Sequence, residues 1–443
     1  MASATTDRPL HDLLFGRDPG EAVPTHAHAR ELIANVPHEC ERLAALLRRA
    51  DAILVGTGAG WSADSGLATY KDVADVPALR AVDLSYYDLC QTRWLREDPA
   101  VYYGFWGYCL SSYRRATPHE GYRIVKKWSE DLCNRTPRFR ERFAAAKLSP
   151  VFIYSSNVDA HWHRDGLFTE DATFEFHGTC EDWCCSGSEA EGRMSPCCQD
   201  IWPVPADFHF VIDEKTMRAE SKESAEPNES SASEMPEHGG CPFSLAQKLG
   251  NPNRPRCPRC RSLLRPRVLH FGDGKFFERE GERERFERWA ECVFDCMTLC
   301  SAPLGDGEKD PAKHVLGASA GASSGDIYED KGAKGGEEAF CLAVLEFGCG
   351  LNVPSVRRES ERHLDMYPEN CVLVRVNPDF PLVLEKEPRQ RIEIMAGALE
   401  AVRAADALLR GKEPEVPKAK PREPLPKPEA KPRARSGSRA KKG

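Results

Sequence analysis

Apolar residues fall along this chain in short unbroken blocks. Ala52-Ile53-Leu54-Val55, Val151-Phe152-Ile153-Tyr154, Cys341-Leu342-Ala343-Val344-Leu345 and Cys371-Val372-Leu373-Val374-Arg375-Val376 each predict a strand covered on both faces, as in a parallel sheet. A shorter block, Thr173-Phe174-Glu175-Phe176, alternates like a strand running into a loop. Leu43, Leu46 and Leu47 recur at helical spacing before Asp51, and Tyr122 to Cys133, Glu291 to Cys300 and Arg391 to Arg410 carry helix-like patterns. Strands separated by helices predict an α/β layered fold.

Composition narrows the class. The 443 residues are 41% hydrophobic and 29% charged, enough for two or three soluble domains. No run approaches the roughly 18 apolar residues of a membrane span, and the opening MASATTDRPL lacks an apolar signal core, so neither membrane insertion nor secretion is expected. The expected location is intracellular, with nucleus and cytoplasm undecided. Eighteen Cys in such a chain predict metal binding, catalysis or burial rather than a disulfide framework. The net charge of -8 hides an asymmetry, because residues 412 to 443 hold 11 Lys or Arg against four Glu. That Pro-rich basic tail predicts an extended segment with weak affinity for nucleic acid or acidic protein. Ala219 to Glu237, with six Glu and no aromatic residue, predicts a disordered insertion, and 301 to 338 a second flexible one.

Chemistry is concentrated in few places. The first strand runs into GTGAGWSADSGLATYK, where glycines would let backbone N–H groups approach a phosphate, although such a turn also serves structure alone. Cys257-Pro-Arg-Cys260 has the spacing of a zinc knuckle, with Cys180, Cys184, Cys185, Cys197 and Cys198 as candidates for the second pair. Cys292, Cys296 and Cys300 repeat every four residues, which predicts packing on a helix. Asn157 and Asp159 end the second strand, where parallel sheets place ligand-contacting groups, and His177-Gly178 follows the alternating block.

In this order the pieces resemble the sirtuins, the NAD-dependent protein lysine deacylases. Residues 58 to 71 resemble the family's GAGISAESGIPxFR loop, Ser156-Asn157-Val158-Asp159 its QNID, and His177-Gly178 its catalytic HG. Cys257 to Asp273 is similar to the second zinc knuckle and substrate strand, Phe347 to Val356 stands for the GTSLxVxP loop, and Arg375-Val376-Asn377 for the adenosine-binding "IN". The similarity spans about residues 40 to 410 apart from the insertions and is nearest the microbial and protist branch. It departs from the pattern at Ala68, Tyr70-Lys71, Ala160, Trp162 and Gly350.

The resemblance implies a Rossmann-like doubly wound parallel sheet with a smaller zinc-binding domain. The domain bounds it implies are an extension 1-39, sheet segments 40-180 and 266-410, a zinc domain 181-265 containing the insertion at about 214-240, and a tail 411-443. It implies His177, Asn157 and Asp159 as catalytic. It implies contact with NAD through Gly58, Ala59, Gly60, Ser62, Ser65, Gly66, Tyr70, Lys71, Ser156, Asn157, Asp159, Gly348, Gly350 and Asn377. A substrate peptide would pair with Phe271-Gly272 and with Leu351 to Val353. One structural zinc would sit on Cys185, Cys197, Cys257 and Cys260, with Cys184 or Cys198 able to substitute. Acylated-lysine proteins are the implied substrates. ADP-ribosyl transfer at the same site and a catalytically silent binding module are the rival expectations.

Overall fold

The computed structural model describes residues 22–68, 84–135, 137–187, 196–213, 215–221, 241–248, 250–301, 339–384 and 386–415. Tyr70, Lys71, the greater part of both expected insertions and the tail from 416 lie outside these. Nine strands are present among the described residues: β1 Ala52–Thr57, β2 Val151–Ser155, β3 Thr173–Glu175, β4 Gly178–Cys185, β5 Ile201–Pro203, β6 Leu264–Val268, β7 Leu342–Phe347, β8 Cys371–Val376 and β9 Arg391–Ile394.

Six of them form one parallel sheet in the order β3-β2-β1-β7-β8-β9. The chain therefore leaves β1 toward one edge and later returns to β1's other side with β7. This reversal opens a crevice at the carboxyl ends of the central strands, where open α/β sheets bind ligands. Successive residues of each strand feed opposite cores, as the alternation of side chains in a strand requires. Ile53, Val55, Ala343, Leu345, Val372 and Val374 pack on one side, while Ala52, Leu54, Leu342, Val344 and Leu373 pack on the other with Phe152 and Trp289. Each Val, Leu, Ile or Phe among them contributes about 1.5–3 kcal/mol when fully buried.

The main helices are α1 His26–Arg49, α2 Ala59–Ala63, α3 Pro99–Arg115, α4 Glu120–Arg135, α5 Glu282–Ser301, α6 Ser355–Met366 and α7 Ala398–Leu409; α1, α4 and α7 cover one face of the sheet and α5 and α6 the other, while α3 packs on the small domain. Helix α1 buries Leu32, Val36, Cys40, Leu43 and Leu47, and Thr25 caps its start. It begins well before the 39/40 boundary implied by the resemblance and runs through Pro37. Arg391 to Arg410, expected as one helix, is corrected to β9 followed by α7; Arg391-Ile392-Glu393-Ile394 alternates and pairs with β8. The expected acidic insertion also starts later than 214. Met217 and Ala219 are buried, the Ala219 N–H donates to the Ala100 carbonyl at 2.9 Å, and Arg218 pairs with Asp98.

Strands β4, β5 and β6 make a separate antiparallel sheet. Its core is aromatic: Tyr102, Tyr103 and Trp106 from α3 meet Trp183, Phe208, Phe210 and Phe243. Cys296 lies in the core beside Trp289 and Cys292 packs against it, as the four-residue repeat predicts. No helix of the described residues is long and apolar enough to cross a membrane.

Two glycines hold the central loops together. The Gly60 N–H donates to the Gly348 carbonyl at 3.0 Å, and a Cβ on Gly348, whose φ is +63°, would lie 2.3 Å from the Trp61 nitrogen. Gly350 has nothing within 4 Å of the same position. Gly348→Ala is therefore expected to lower the free energy of unfolding by about 3 kcal/mol, through both clash and left-handed strain. Gly350→Ala is expected to stay within about 0.5 kcal/mol. Urea denaturation midpoints of the two variants check this contrast.

Candidate active site and metal centre

The carboxyl ends of β1 and β2 are joined by a chain of hydroxyls. Thr57 Oγ1 donates to Ser155 Oγ at 2.9 Å, and Ser155 Oγ accepts from the Asn157 backbone N–H at 3.1 Å. Asn157 turns back toward the Gly-rich loop, where its Nδ2 donates to the Gly58 carbonyl and to Ser62 Oγ, each at 3.0 Å. Ser62 Oγ in turn donates to Asp159 Oδ2 at 2.5 Å. The other oxygen of Asp159 accepts from the His161 N–H at 2.9 Å. The intervening residue, Ala160, has a left-handed backbone with φ 57° and ψ 21°. An Ala there carries about 1–2 kcal/mol of strain that a Gly would not.

The departure at Trp162 also has a structural account. Trp162 is fully buried, stacks on Trp61 at 5.6 Å and donates from Nε1 to Thr57 Oγ1 at 3.1 Å. Its indole thus replaces a polar side chain with core packing and still anchors the hydroxyl chain.

These groups open on a cavity of about 550 Å³, within the ~300–1,000 Å³ usual for small-molecule and cofactor sites. Ala59, Ser62, Ser156, Asn157, Asp159 and His177 line it from the large sheet, Phe271 and Gly272 from beyond β6, and Val353 from beyond β7. Other expected residues stand behind the wall. Gly58 and Gly60 abut Gly348 and Cys349, and Ser65 Oγ accepts from the His119 N–H. Gly66, Gly348, Gly350 and Leu351 are absent from the lining. Asn377 is occupied within its own turn: Nδ2 donates to the Cys349 carbonyl at 2.9 Å, while Oδ1 accepts from the Asp379 and Phe380 N–H groups.

His177 is half-buried, and burial pushes its imidazole down to about 4 despite an opposing hydrogen bond with the Ser156 backbone. The ring is therefore neutral at pH 7 and able to accept a proton. Glu175, two residues earlier, is buried, with one oxygen unpartnered; burial first, and the charge of Asp159 second, push its carboxyl well up.

Sequence patterns missed several supports. His119 donates from Nε2 to the Trp61 carbonyl at 2.8 Å while its Nδ1 accepts from the Gly121 N–H, and Tyr122 OH lies 3.3 Å from Ser62 Oγ. Both come from the start of α4, visible beforehand only as an amphipathic helix. His270, on the cavity wall, meets Tyr102 OH at 2.8 Å and the Val268 carbonyl at 2.7 Å; burial and then Arg265 push it down to about 3.

In the small domain, one sulfur each of Cys185, Cys197, Cys257 and Cys260 lie within 4.8 Å of one another. Cys185 Sγ is 3.5 Å from Cys260 Sγ, and Cys197 Sγ 3.5 Å from Cys257 Sγ. Tetrahedral zinc with ~2.3 Å bonds to sulfur would set these separations at about 3.8 Å, so four thiolates here fit a closed structural zinc site. Cys184 is next to Cys185 on β4 and so faces the opposite way, toward Arg265. Cys198 contacts Cys197 at 3.7 Å and stands outside the group of four.

Topology, cavity and thiol cluster together define a Rossmann-like α/β protein with a zinc-binding small domain. No family model matches the chain. It is 25% identical over 251 residues, 55% of its own length and 67% of the relative's, to an NAD-dependent protein deacylase of Corynebacterium glutamicum. Two solved structures are also similar, each at a TM-score of 0.41. One is a Sir2 homologue in complex with NAD, with 14% identity covering 84% of this chain and 94% of that one. The other is Sir2Tm bound to a propionylated peptide, with 15% identity covering 84% and 97%. The fold stands on the strand order above, independently of these two.

Two outcomes are expected. The purified protein should carry about one zinc per chain, and Cys257→Ser should lower metal content and melting temperature together, since structural zinc binding is folding free energy; Cys184→Ser should keep the metal. Elemental analysis and thermal melts check both. Stability should also fall as pH drops from about 6.5 toward 4. An unfolded imidazole takes up its proton near 6.5, whereas folded His177 does so only at about 4 and folded His270 at about 3. Glu175, whose carboxyl burial pushes well up, acts with the opposite sign and offsets part of this, but the two imidazoles outnumber it, so unfolding binds net protons in that window. Denaturant titrations at pH 7.5, 6 and 5 measure the slope.

Proposed function

We propose that the chain is an NAD-dependent protein-lysine deacylase of the sirtuin family. The observation that carries this reading is the convergence of Asn157, Asp159 and a neutral His177 on one cavity bordered by the Gly-rich loop and by Phe271-Gly272. The net reaction converts acyl-lysine, NAD and one water into free lysine, nicotinamide and acylated ADP-ribose. Bound NAD supplies an electrophilic ribose carbon from which nicotinamide departs.

The residues of the chain divide the remaining work. His177 acts as general base, accepting a proton from a ribose hydroxyl; a neutral ring is the competent form. Asn157 and Asp159 are already oriented by Gly58, Ser62 and the His161 N–H, so they present fixed polar groups to ribose and water at little reorganisation cost. Phe271-Gly272 and Val353 flank the entrance, where an extended peptide would add as a strand with little sequence preference. Cys185, Cys197, Cys257 and Cys260 would hold a zinc ion that stabilises the small domain rather than acting on substrate. On the same reading the protein acts inside the cell, and its basic tail adds salt-sensitive association with nucleic acid or acidic protein.

Nicotinamide release measured with and without an acylated peptide tests the proposal. Peptide-dependent release is expected, and His177→Ala should reduce it at least about 100-fold, the scale of lost general-base catalysis, with the melting temperature little changed. Release that transfers ADP-ribose label to protein instead would establish ADP-ribosylation, and no release at all would leave a binding module.

A further inference from the structure

The wall of the cavity bears on which acyl group the site takes, a question that rests on the deacylase reading. Away from Asn157 and Asp159 one stretch of the lining is apolar, formed by Leu67, Tyr86, Cys90, Val158, Val268 and Phe271, beside the polar His270, Asp273 and Asn352. Backbone bonds fix this wall: the Cys90 carbonyl accepts from the Phe271 N–H at 3.1 Å, and the Val158 carbonyl from the Cys180 N–H at 2.9 Å. Tyr86 meets Phe271 edge-on at 6.3 Å. Cys90 is the smallest of the six side chains and borders the cavity while only 3% exposed.

Charge on this wall has one sign. Asp159 and Asp273 are its carboxylates, and Asp273 is already paired with Arg265 behind the cavity. Among the described lining residues there is no Lys or Arg. An acyl chain ending in a carboxylate would lose its water against apolar walls, find no Lys or Arg among the described lining residues and face like charge, which is the costly way to bury an ion. An alkyl chain gains with each methylene removed from water.

We propose that the site selects lysines bearing an uncharged alkyl acyl group longer than acetyl, with Cys90 setting the depth available, and rejects dicarboxylic acyl groups.

One peptide carrying acetyl, butyryl, hexanoyl or succinyl on its lysine tests this with the full-length chain, nicotinamide release being the readout. We expect kcat/KM to rise about tenfold from acetyl to butyryl, the return on two buried methylenes, and succinyl to fall at least about 100-fold below butyryl. Cys90→Phe should lower the hexanoyl-to-acetyl ratio about tenfold by filling the space; if that variant does not fold, the unmodified protein's ranking decides alone. Succinyl at or above butyryl, or a steady decline from acetyl to hexanoyl, overturns the selectivity and leaves the deacylase reading standing. No release with any of the four overturns both.

Discussion

The approach of Gly60 to Gly348, backbone against backbone, is the contact on which the site depends. It joins the loop after β1 to the loop after β7 at the point where the sheet reverses its winding. With no Cβ on either residue, the two loops close to hydrogen-bond distance, and Trp61 drops into the core between Phe347, Trp162 and Tyr122. Ser62 is thereby carried to Asp159, and Asn157 reaches back to the Gly58 carbonyl. A side chain at Gly348 would lift the loop that carries the polar cluster.

The two domains solve the burial of polar groups differently. Around the cavity, carboxylate and amide are satisfied by hydroxyls and backbone, and the imidazoles are held neutral, so no bare positive charge lines the described wall. Beneath the loops after β7 and β8 the charges are instead paired: Arg375 bonds Glu346 through two nitrogens and also reaches Glu361, while Arg357 spans the Cys349 and Phe380 carbonyls. Those guanidinium groups are 1% and 3% exposed. Removing either carboxylate would strand a buried cation, which makes this network a constraint on loop position more than a source of net stability.

Much of the fold was legible because its signals are local. Cys371 to Val376 is an unbroken apolar block with one Arg, and the strand has those bounds. Choosing Cys185 over Cys184 came from resemblance, and the strand geometry supplies the physical reason: neighbours on β4 face opposite ways. The failures were failures of boundary. Arg391 to Ile394 is too short, and too close to the following helix, for its alternation to stand out. Helix α1 begins about four turns before residue 40, beyond the reach of the pattern at Leu43, Leu46 and Leu47. His119 and Tyr122, which steady Trp61 and Ser62, were invisible because their partners lie about sixty residues away and no pattern of spacing encodes that approach.

The central position of β1 has a consequence for how the molecule is made. Its partner on one side, β2, follows by about a hundred residues, but the first bond to the other side, from the Cys341 N–H to Asp51, spans 290. At ~5–20 residues per second, synthesis needs roughly 15–60 seconds to deliver that second neighbour. In the interval β1 has an open parallel edge, with no charged residue along its length to discourage pairing with another chain. The small domain, with its own aromatic core and its thiolate cluster, is complete before β7 emerges. The nascent protein thus passes through a stage in which one finished module rides on half a sheet, and protection of that edge falls to the cell rather than to the sequence.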